Sequence, residues 1–420
     1  MKIKNYILFG VLSLASFVGA CVPPENSNAT NSNTNQSNTN AAANSANGNS
    51  ETSSTRDAAP IGDDKNPSSE EIERGRLNQD WKNFVQADAP TEKSDKPNTE
   101  KWADVTAENV NGKQQYLPLS GDVAGPSVLR AQLLLDRARF SPGIIDGKWG
   151  KNTEKAVYWL QKREGLTASG QVDRKTYQKL IELAERPDEL ITEHKLSEKD
   201  VSGPFVEIPA DIYEKAKMDC MCYESLEEKL SEMYHISPAL LQQLNPNVKL
   251  NELKAGDTLK APNLRATEKD NVGDVAKVVI SDGGHFVHAL DAQDRILAHY
   301  PSTLGSDYNP SPSGEYKINS VTEDPWWYYQ PELLDEGSGE NARIPPGPNN
   351  AVGVVWMDLS KPHYGIHGTS APETIGYTVS HGCVRLTNWD ATELGRNVGK
   401  GTPVSFRDIS NRSDKKEDAE

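Results

Sequence analysis

The chain has a shortage of basic residues, a shortage of aromatics and very few cysteines, and each shortage removes a class of explanation. Lys and Arg total 45 against 61 Asp and Glu, a formal charge of -16, which argues against nucleic acid or another polyanion as the principal partner. Four cysteines in 420 residues are too sparse for a disulfide-stapled scaffold, so each needs its own account. Apolar residues reach only 35%, but the deficit is concentrated from Pro23 to Lys96 and after Arg407. The remainder is apolar enough to fold. No segment reaches the roughly 18 consecutive apolar residues of a membrane-spanning helix. At roughly 150 residues per domain, the length suggests two or three domains with extra segments.

What is present begins at the N-terminus. Met1, Lys2 and Lys4 form a basic start, Tyr6 to Val18 is a short and mostly apolar run, and Val18-Gly19-Ala20-Cys21 closes it. This suits a secretory signal. The small residues before Cys21 resemble a bacterial lipobox, which implies removal of a signal peptide (1–20), acylation of Cys21, and a membrane-anchored lipoprotein of the cell envelope, periplasmic or extracytoplasmic. From Glu25 to Pro60 the chain is mostly Asn, Ser, Thr, Ala and Gly, too polar to offset the entropy of folding, so 21–100 is expected to be a disordered tether. Within it Glu70 to Val85 suggests a transient amphipathic helix. Residues 409–420 are a charged tail.

Helical spacing of Val128, Leu129, Leu133, Leu134 and Leu135, a break at Phe140-Ser141-Pro142-Gly143, and a turn at Asp146-Gly147 open a first module. A second helix starts at Asn152-Thr153 and a third runs from Asp173 to Leu183. Ile145-Asp146-Gly147, Gly150, Thr153, Ala156-Val157, Gln161, Gly165-Leu166, Gly170 and Thr176 resemble the peptidoglycan-binding type 1 family, implying non-catalytic affinity for peptidoglycan at 125–186. From 203 to 263, two short helices are followed by Asn245-Pro246 and Ala255-Gly256-Asp257-Thr258-Leu259. This order is similar to LysM, a small α/β glycan-binding module; the competing reading is a featureless spacer. Cys220 and Cys222 are consistent with a metal half-site or a local disulfide, but no second ligand cluster accompanies them, and two structural cysteines are the preferred reading.

Beyond Val275 the pattern turns to strands: Val275 to Val279 and Phe286 to Leu290 flank Gly283-Gly284, with further candidates at 295–300, 314–318, 353–357, 363–367 and 402–406. Helix is confined mainly to 389–398. The chemistry lies in His363-Tyr364-Gly365-Ile366-His367-Gly368 and Val379-Ser380-His381-Gly382-Cys383-Val384-Arg385. A free thiol, with a pKa of about 8.5, is only partly ionised at neutral pH, so a neighbouring imidazole is the informative partner. Spacing alone leaves both His367 and His381 open as that base. Gly382, lacking Cβ, would let a substrate carbonyl approach and backbone amides converge on an oxyanion. His285, His288 and His299 are read as surface or packing residues in preference to a metal site.

His367-Gly368, Ser380 to Arg385 and Asn388 look like the catalytic motif of the L,D-transpeptidase (YkuD) family, supported by Pro312-Ser313-Gly314 and Pro345-Pro346-Gly347-Pro348-Asn349. The resemblance implies a mainly β, YkuD-like sandwich over 274–408 within a multidomain chain. It also implies Cys383 as nucleophile, His367 as general base, and the Gly368 carbonyl orienting the imidazole. The amides of His381, Gly382 and Cys383 would hold the oxyanion, with Arg385, Ser380 and Tyr364 toward substrate. The implied substrates are peptidoglycan stem peptides, acylated as a thioester, with no cofactor and no metal. Hydrolysis of the same thioester, as a carboxypeptidase or endopeptidase, and a non-catalytic wall-binding lipoprotein are the alternatives. Ala351 stands where the family usually has proline, and Trp326-Trp327-Tyr328-Tyr329 opens a lengthened loop, read as an aromatic packing cluster in preference to a lid. Either enzymatic reading requires an imidazole within reach of the sulfur.

Overall fold

The structure, a computed structural model, describes residues 98–112, 115–184, 186–264, 272–306, 309–333 and 339–407. The expected signal peptide, Cys21, the tether up to residue 97, the Glu70 to Val85 helix and the 409–420 tail lie outside the described residues.

A short α1 (Ala107–Asn111) precedes the three expected helices, α2 (Pro126–Arg137), α3 (Lys151–Arg163) and α4 (Arg174–Leu183). Proline opens α2, where its missing N–H costs nothing, and Asp173 caps α4 by accepting from the Thr176 amide at 2.7 Å. Two buried glutamines explain the turn motifs. Gln132 Oε1 accepts from the Gly147 amide at 2.8 Å, and Gln161 Oε1 accepts from the Ser169 and Gly170 amides, both at 2.9 Å. Gly147 and Gly170 take φ of 73° and 69°, the left-handed region that glycine enters without a Cβ penalty. Leu129, Leu133, Val157 and Leu180 are buried within this module.

The next module is a two-stranded antiparallel sheet, β1 (Ile191–Lys195) with β2 (Thr258–Pro262). Between the strands run α5 (Glu198–Val201), α6 (Ile212–Lys215), α7 (Leu226–Met233) and α8 (Pro238–Leu244). Its first strand lies ahead of residue 203, where sequence alone placed the start. Cys220 and Cys222 are joined in a disulfide, which corrects the reading of two separate structural cysteines. The Cα atoms of the pair are 5.2 Å apart, shorter than extended chain spans, and they flank Met221, which is itself 1% exposed.

The C-terminal domain is built on β3 (Lys277–Ser281), β4 (Phe286–Leu290), β5 (Ile296–Pro301), β6 (Gly314–Glu323), β7 (Trp327–Tyr329), β8 (Ala342–Ile344), β9 (Val355–Leu359), β10 (Gly365–His367), β11 (Val384–Arg385), α9 (Asn388–Asn397) and β12 (Pro403–Arg407). Eight strands form one curled sheet in the order β11-β10-β9-β6-β12-β3-β4-β5, and β7 pairs separately with β8. Strand β6 belongs to both halves, and its register on β9 shifts between Ile318 and Ser320, the kind of irregularity that bends a strand. Val278, Ile280, Val287, Met357, Ile366, Val384 and Leu394 lie in the core beneath the sheet and α9.

The helical module is joined to the free edge of this sheet. The Ser141 amide donates to the His299 carbonyl and the His299 amide to the Arg139 carbonyl, each at 2.9 Å. Trp159 packs edge-on against Phe286 and His288, with centroids 4.9 and 4.7 Å apart. His288 and His299 face each other across β4 and β5 with Nε2 and Nδ1 3.0 Å apart, both fully enclosed. Burial pushes His288 down to about 3 and His299 well below the usual imidazole range, so this contact is between neutral rings. His285 is lowered to about 4 by burial, then by the charges of Lys155 and Lys151. These histidines form an interdomain packing layer. Among the described residues no helix is long and apolar enough to cross a membrane.

Candidate active site

Strand pairing brings the two sequence motifs together. β10 runs parallel to β11 with Ile366 opposite Val384 and His367 opposite Arg385. Paired residues in a sheet point to one face and alternate along each strand. Ile366 and Val384 accordingly enter the core beneath the sheet. Gly365, His367, Cys383 and Arg385 belong to the opposite face, with Cys383 one residue before β11. Trp356, paired with His367 across β9 and β10, stacks on its ring at 5.4 Å and 21°. A Cβ on Gly365 would meet that indole at 2.4 Å, so glycine is what lets Trp356 lie flat beside the imidazole. Sequence reasoning missed Trp356 and gave Gly365 no role, although the glycine stands inside the histidine motif.

His367 is 1% exposed and its Nδ1 is 2.7 Å from the Gly368 carbonyl. A carbonyl only accepts, so Nδ1 carries the proton and Nε2 of the neutral ring bears the basic lone pair. The backbone at Gly368 is itself crowded, since a Cβ there would lie 2.2 Å from Asn388 Oδ1.

The loop carrying Cys383 is braced from several sides. Ser380 Oγ donates to the Cys383 carbonyl at 2.6 Å and accepts from the Gly382 amide at 3.1 Å, while Ser311 Oγ donates to the Gly382 carbonyl at 2.8 Å. Thr303 and Arg385 exchange both backbone hydrogen bonds, at 3.0 and 2.9 Å. Two expectations change as a result. Ser380, expected toward substrate, is 2% exposed and serves as a brace. The Gly382 amide, expected among the oxyanion donors, is committed to Ser380. Gly382 is needed for another reason: φ is 112°, and a Cβ would lie 2.9 Å from the Tyr364 ring. Further upstream, Asn152 of α3 donates to the Ile375 carbonyl at 2.8 Å, so the helical module also grips the approach to the nucleophile.

Cys383 is the cysteine outside a disulfide among the described residues, and it is buried, 2% exposed. Its sulfur lies 3.8 Å from the His363 carbonyl. It shares an apolar cluster with Met221, Trp327, Tyr329, Ile344, Val352 and Trp356. The expected aromatic loop is therefore the β7–β8 hairpin: Trp327 and Tyr329 face the cluster, while Arg343 lies over Trp326 at 4.0 Å and over Tyr328 at 5.4 Å. A second layer comes from the disulfide loop. The Met221 amide donates to the Pro346 carbonyl at 2.8 Å, and the Asn349 amide to the Met221 carbonyl at 2.9 Å. A Cβ on Gly347 would meet the Met221 carbonyl at 2.2 Å, so the Pro-Pro-Gly-Pro-Asn segment seats the accessory loop. Among the described residues, no group of three or more His, Cys, Asp or Glu side chains is arranged to hold a metal.

Comparison with known proteins identifies two families along the chain. Residues 273–405 match the model of the L,D-transpeptidase catalytic domain, and residues 124–180 match one described as "Putative peptidoglycan binding domain". A Bacillus licheniformis protein named "Putative L,D-transpeptidase YkuD" is 31% identical over 183 residues, 44% of this chain and 93% of that protein. Its Bacillus subtilis namesake is 33% identical over 173 residues, 41% and 88% of the two chains. A crystal structure of the L,D-transpeptidase from Xylanimonas cellulosilytica aligns at 17% identity with a TM-score of 0.31, covering 70% of this chain and 98% of that one. With its helical peptidoglycan-binding domain ahead of a mainly β catalytic domain, the chain belongs to the L,D-transpeptidase (YkuD) family, whose members work by cysteine-dependent transpeptidation.

Proposed function

We propose that Cys383 is the acylating nucleophile, that His367 is its base, and that the acyl donor is a peptidoglycan stem peptide. The observation that carries this reading is the pairing of β10 with β11, which sets Cys383 and His367 on one face of adjacent strands. The Gly368 carbonyl at Nδ1 leaves Nε2 as the basic atom. In the first step Nε2 takes the thiol proton, and sulfur attacks the amide carbonyl between the L-centre of a diamino acid and a terminal D-alanine. The developing oxyanion is assigned to the amides of His381 and Cys383, since of the three expected donors the Gly382 amide is committed to Ser380. As the C–N bond breaks, the imidazolium returns its proton to the nitrogen, and D-alanine departs as a neutral amine. In the second step Nε2 takes a proton from an amine of a neighbouring stem as that amine attacks the thioester; the new amide forms, the C–S bond breaks, and the imidazolium returns the proton to the departing thiolate. Arg385, paired with His367 across β10 and β11, supplies a cation for an anionic group of the stem, whereas Tyr364, expected toward substrate, packs against the core beneath the sheet.

The N-terminal pattern supports a lipoprotein held to a membrane through acylated Cys21, with the polar segment after it as a tether. Residues 191–262, strand, helices and returning strand, support a LysM-like module. Wall-binding modules on the same chain raise the effective concentration of the enzyme at an insoluble polymer.

The test is the Cys383→Ala variant, incubated with a carbapenem and with a purified stem tetrapeptide. Wild-type protein gains the mass of one acyl group and the variant gains none, whereas turnover by Cys383→Ala would remove the nucleophile assignment. Mass spectrometry of digested wall then separates new dimers, the product of transfer, from shortened stems, the product of hydrolysis.

A further inference from the structure

Asn388, at the start of α9 and 3% exposed, connects the accessory module to the catalytic histidine. Its Nδ2 donates to Glu232 Oε1 on α7 at 2.6 Å and to the Pro348 carbonyl at 3.2 Å. Its Oδ1 accepts from the amides of Val354 at 3.2 Å and Thr369 at 3.1 Å. Two donors and two acceptor positions are thus all in use, which fixes the orientation of the carboxamide. The Thr369 N–H and the Gly368 carbonyl belong to one peptide unit, and a peptide unit is planar and trans. Holding its N–H on Asn388 therefore sets the direction of its carbonyl, and that carbonyl is the acceptor for His367 Nδ1.

We infer that Glu232 is a positioning residue for the reaction: it locks Asn388, which fixes the Gly368–Thr369 peptide plane that orients His367. This rests on the role proposed for His367. Glu232 lines a crevice of about 260 Å³ with Asn388, His235, Trp389 and Asp390. It belongs to a module outside the catalytic domain, and a sequence motif confined to the active-site strands does not contain it. Burial raises its carboxyl to about 8, and a carboxyl in either protonation state retains an oxygen that accepts from Asn388. The accessory module is in this sense part of the active site.

The experiment compares Glu232→Ala, Glu232→Asp and Glu232→Gln in the full chain, measuring acylation by a carbapenem as a maximal rate and a half-saturating concentration across pH. Glu232→Ala frees Asn388, and Glu232→Asp retracts the acceptor by one methylene while adding no bulk. Both are expected to lose about 10- to 100-fold in maximal rate, the scale of a small misplacement of a reacting group. The half-saturating concentration should be nearly unchanged and the acid limb of the profile displaced. Glu232→Gln keeps an acceptor oxygen and restores the rate. If Ala and Asp variants acylate at the wild-type rate with an unmoved acid limb, or lose rate only in proportion to lost folded protein, Glu232 is interdomain glue and the inference fails. Cys383→Ala, run alongside, reports separately on the nucleophile.

Discussion

Around His367, several residues are defined by what cannot be added to them. Gly365 admits Trp356, Gly368 admits Asn388, and Gly382 admits Tyr364. Gly365→Ala forces the indole away from the imidazole. An overpacked core of this kind costs about 1–3 kcal/mol, so the variant should show a lowered urea midpoint together with slower acylation. A midpoint within error of wild type would mean that Trp356 has room to shift. Glu232 gives a second prediction with a definite sign. Its ordinary value is 4.5 and burial raises it to about 8 in the fold. Between those values the unfolded chain releases a proton that the folded chain retains, so this residue's contribution to stability is complete below pH 4.5 and is lost as pH rises towards about 8. Thermal midpoints of wild type relative to Glu232→Gln should therefore fall across that interval and then level off. A constant difference from pH 4.5 to 8 would show that the carboxyl is solvated.

At the scale of elements, the roof over Cys383 is made by the β7–β8 hairpin and by the disulfide loop around Met221. Removing a buried Met side chain costs about 2–5 kcal/mol, so Met221→Ala should destabilise the protein by that order in denaturant. It should also speed alkylation of Cys383 by iodoacetamide under native conditions. An unchanged labelling rate would place the route to the sulfur elsewhere. The roof also marks where sequence reasoning stopped. The strands of the sheet other than the two-residue β11, the three helices after Gly125 and the two motifs that bear the histidines and Cys383 were legible because each has a local period or a turn residue that physics demands, as with Gly147 and Gly170. The contact of Met221 with Pro346 and Asn349, and that of Glu232 with Asn388, join residues more than a hundred positions apart, and nothing local in either segment announces its partner. The commitment of the Gly382 amide to Ser380 was missed for a different reason: a glycine in a catalytic loop serves backbone conformation as readily as oxyanion binding, and only φ and neighbours decide. The strand Ile191–Lys195 escaped because its partner, Thr258–Pro262, follows a long excursion.

For the whole molecule, the modules behave as one body and not as beads on a string. The helical domain hydrogen-bonds to β5 through His299 and reaches the nucleophile loop through Asn152, while the β1–β2 module reaches His367 through Glu232 and Asn388. Cooperative unfolding of residues 98–407 in a single calorimetric transition is the expected outcome; separate transitions for the helical and catalytic parts would mean that these contacts are weak. The bond between Ser141 and His299 has one more consequence. A terminal strand with unsatisfied amides is a template for pairing with a second molecule, and here the wall-binding domain occupies part of that rim and covers the Phe286 and His288 rings with Trp159. Cutting the chain down to its catalytic portion would uncover a sticky border, so the affinity module doubles as a guard against self-association.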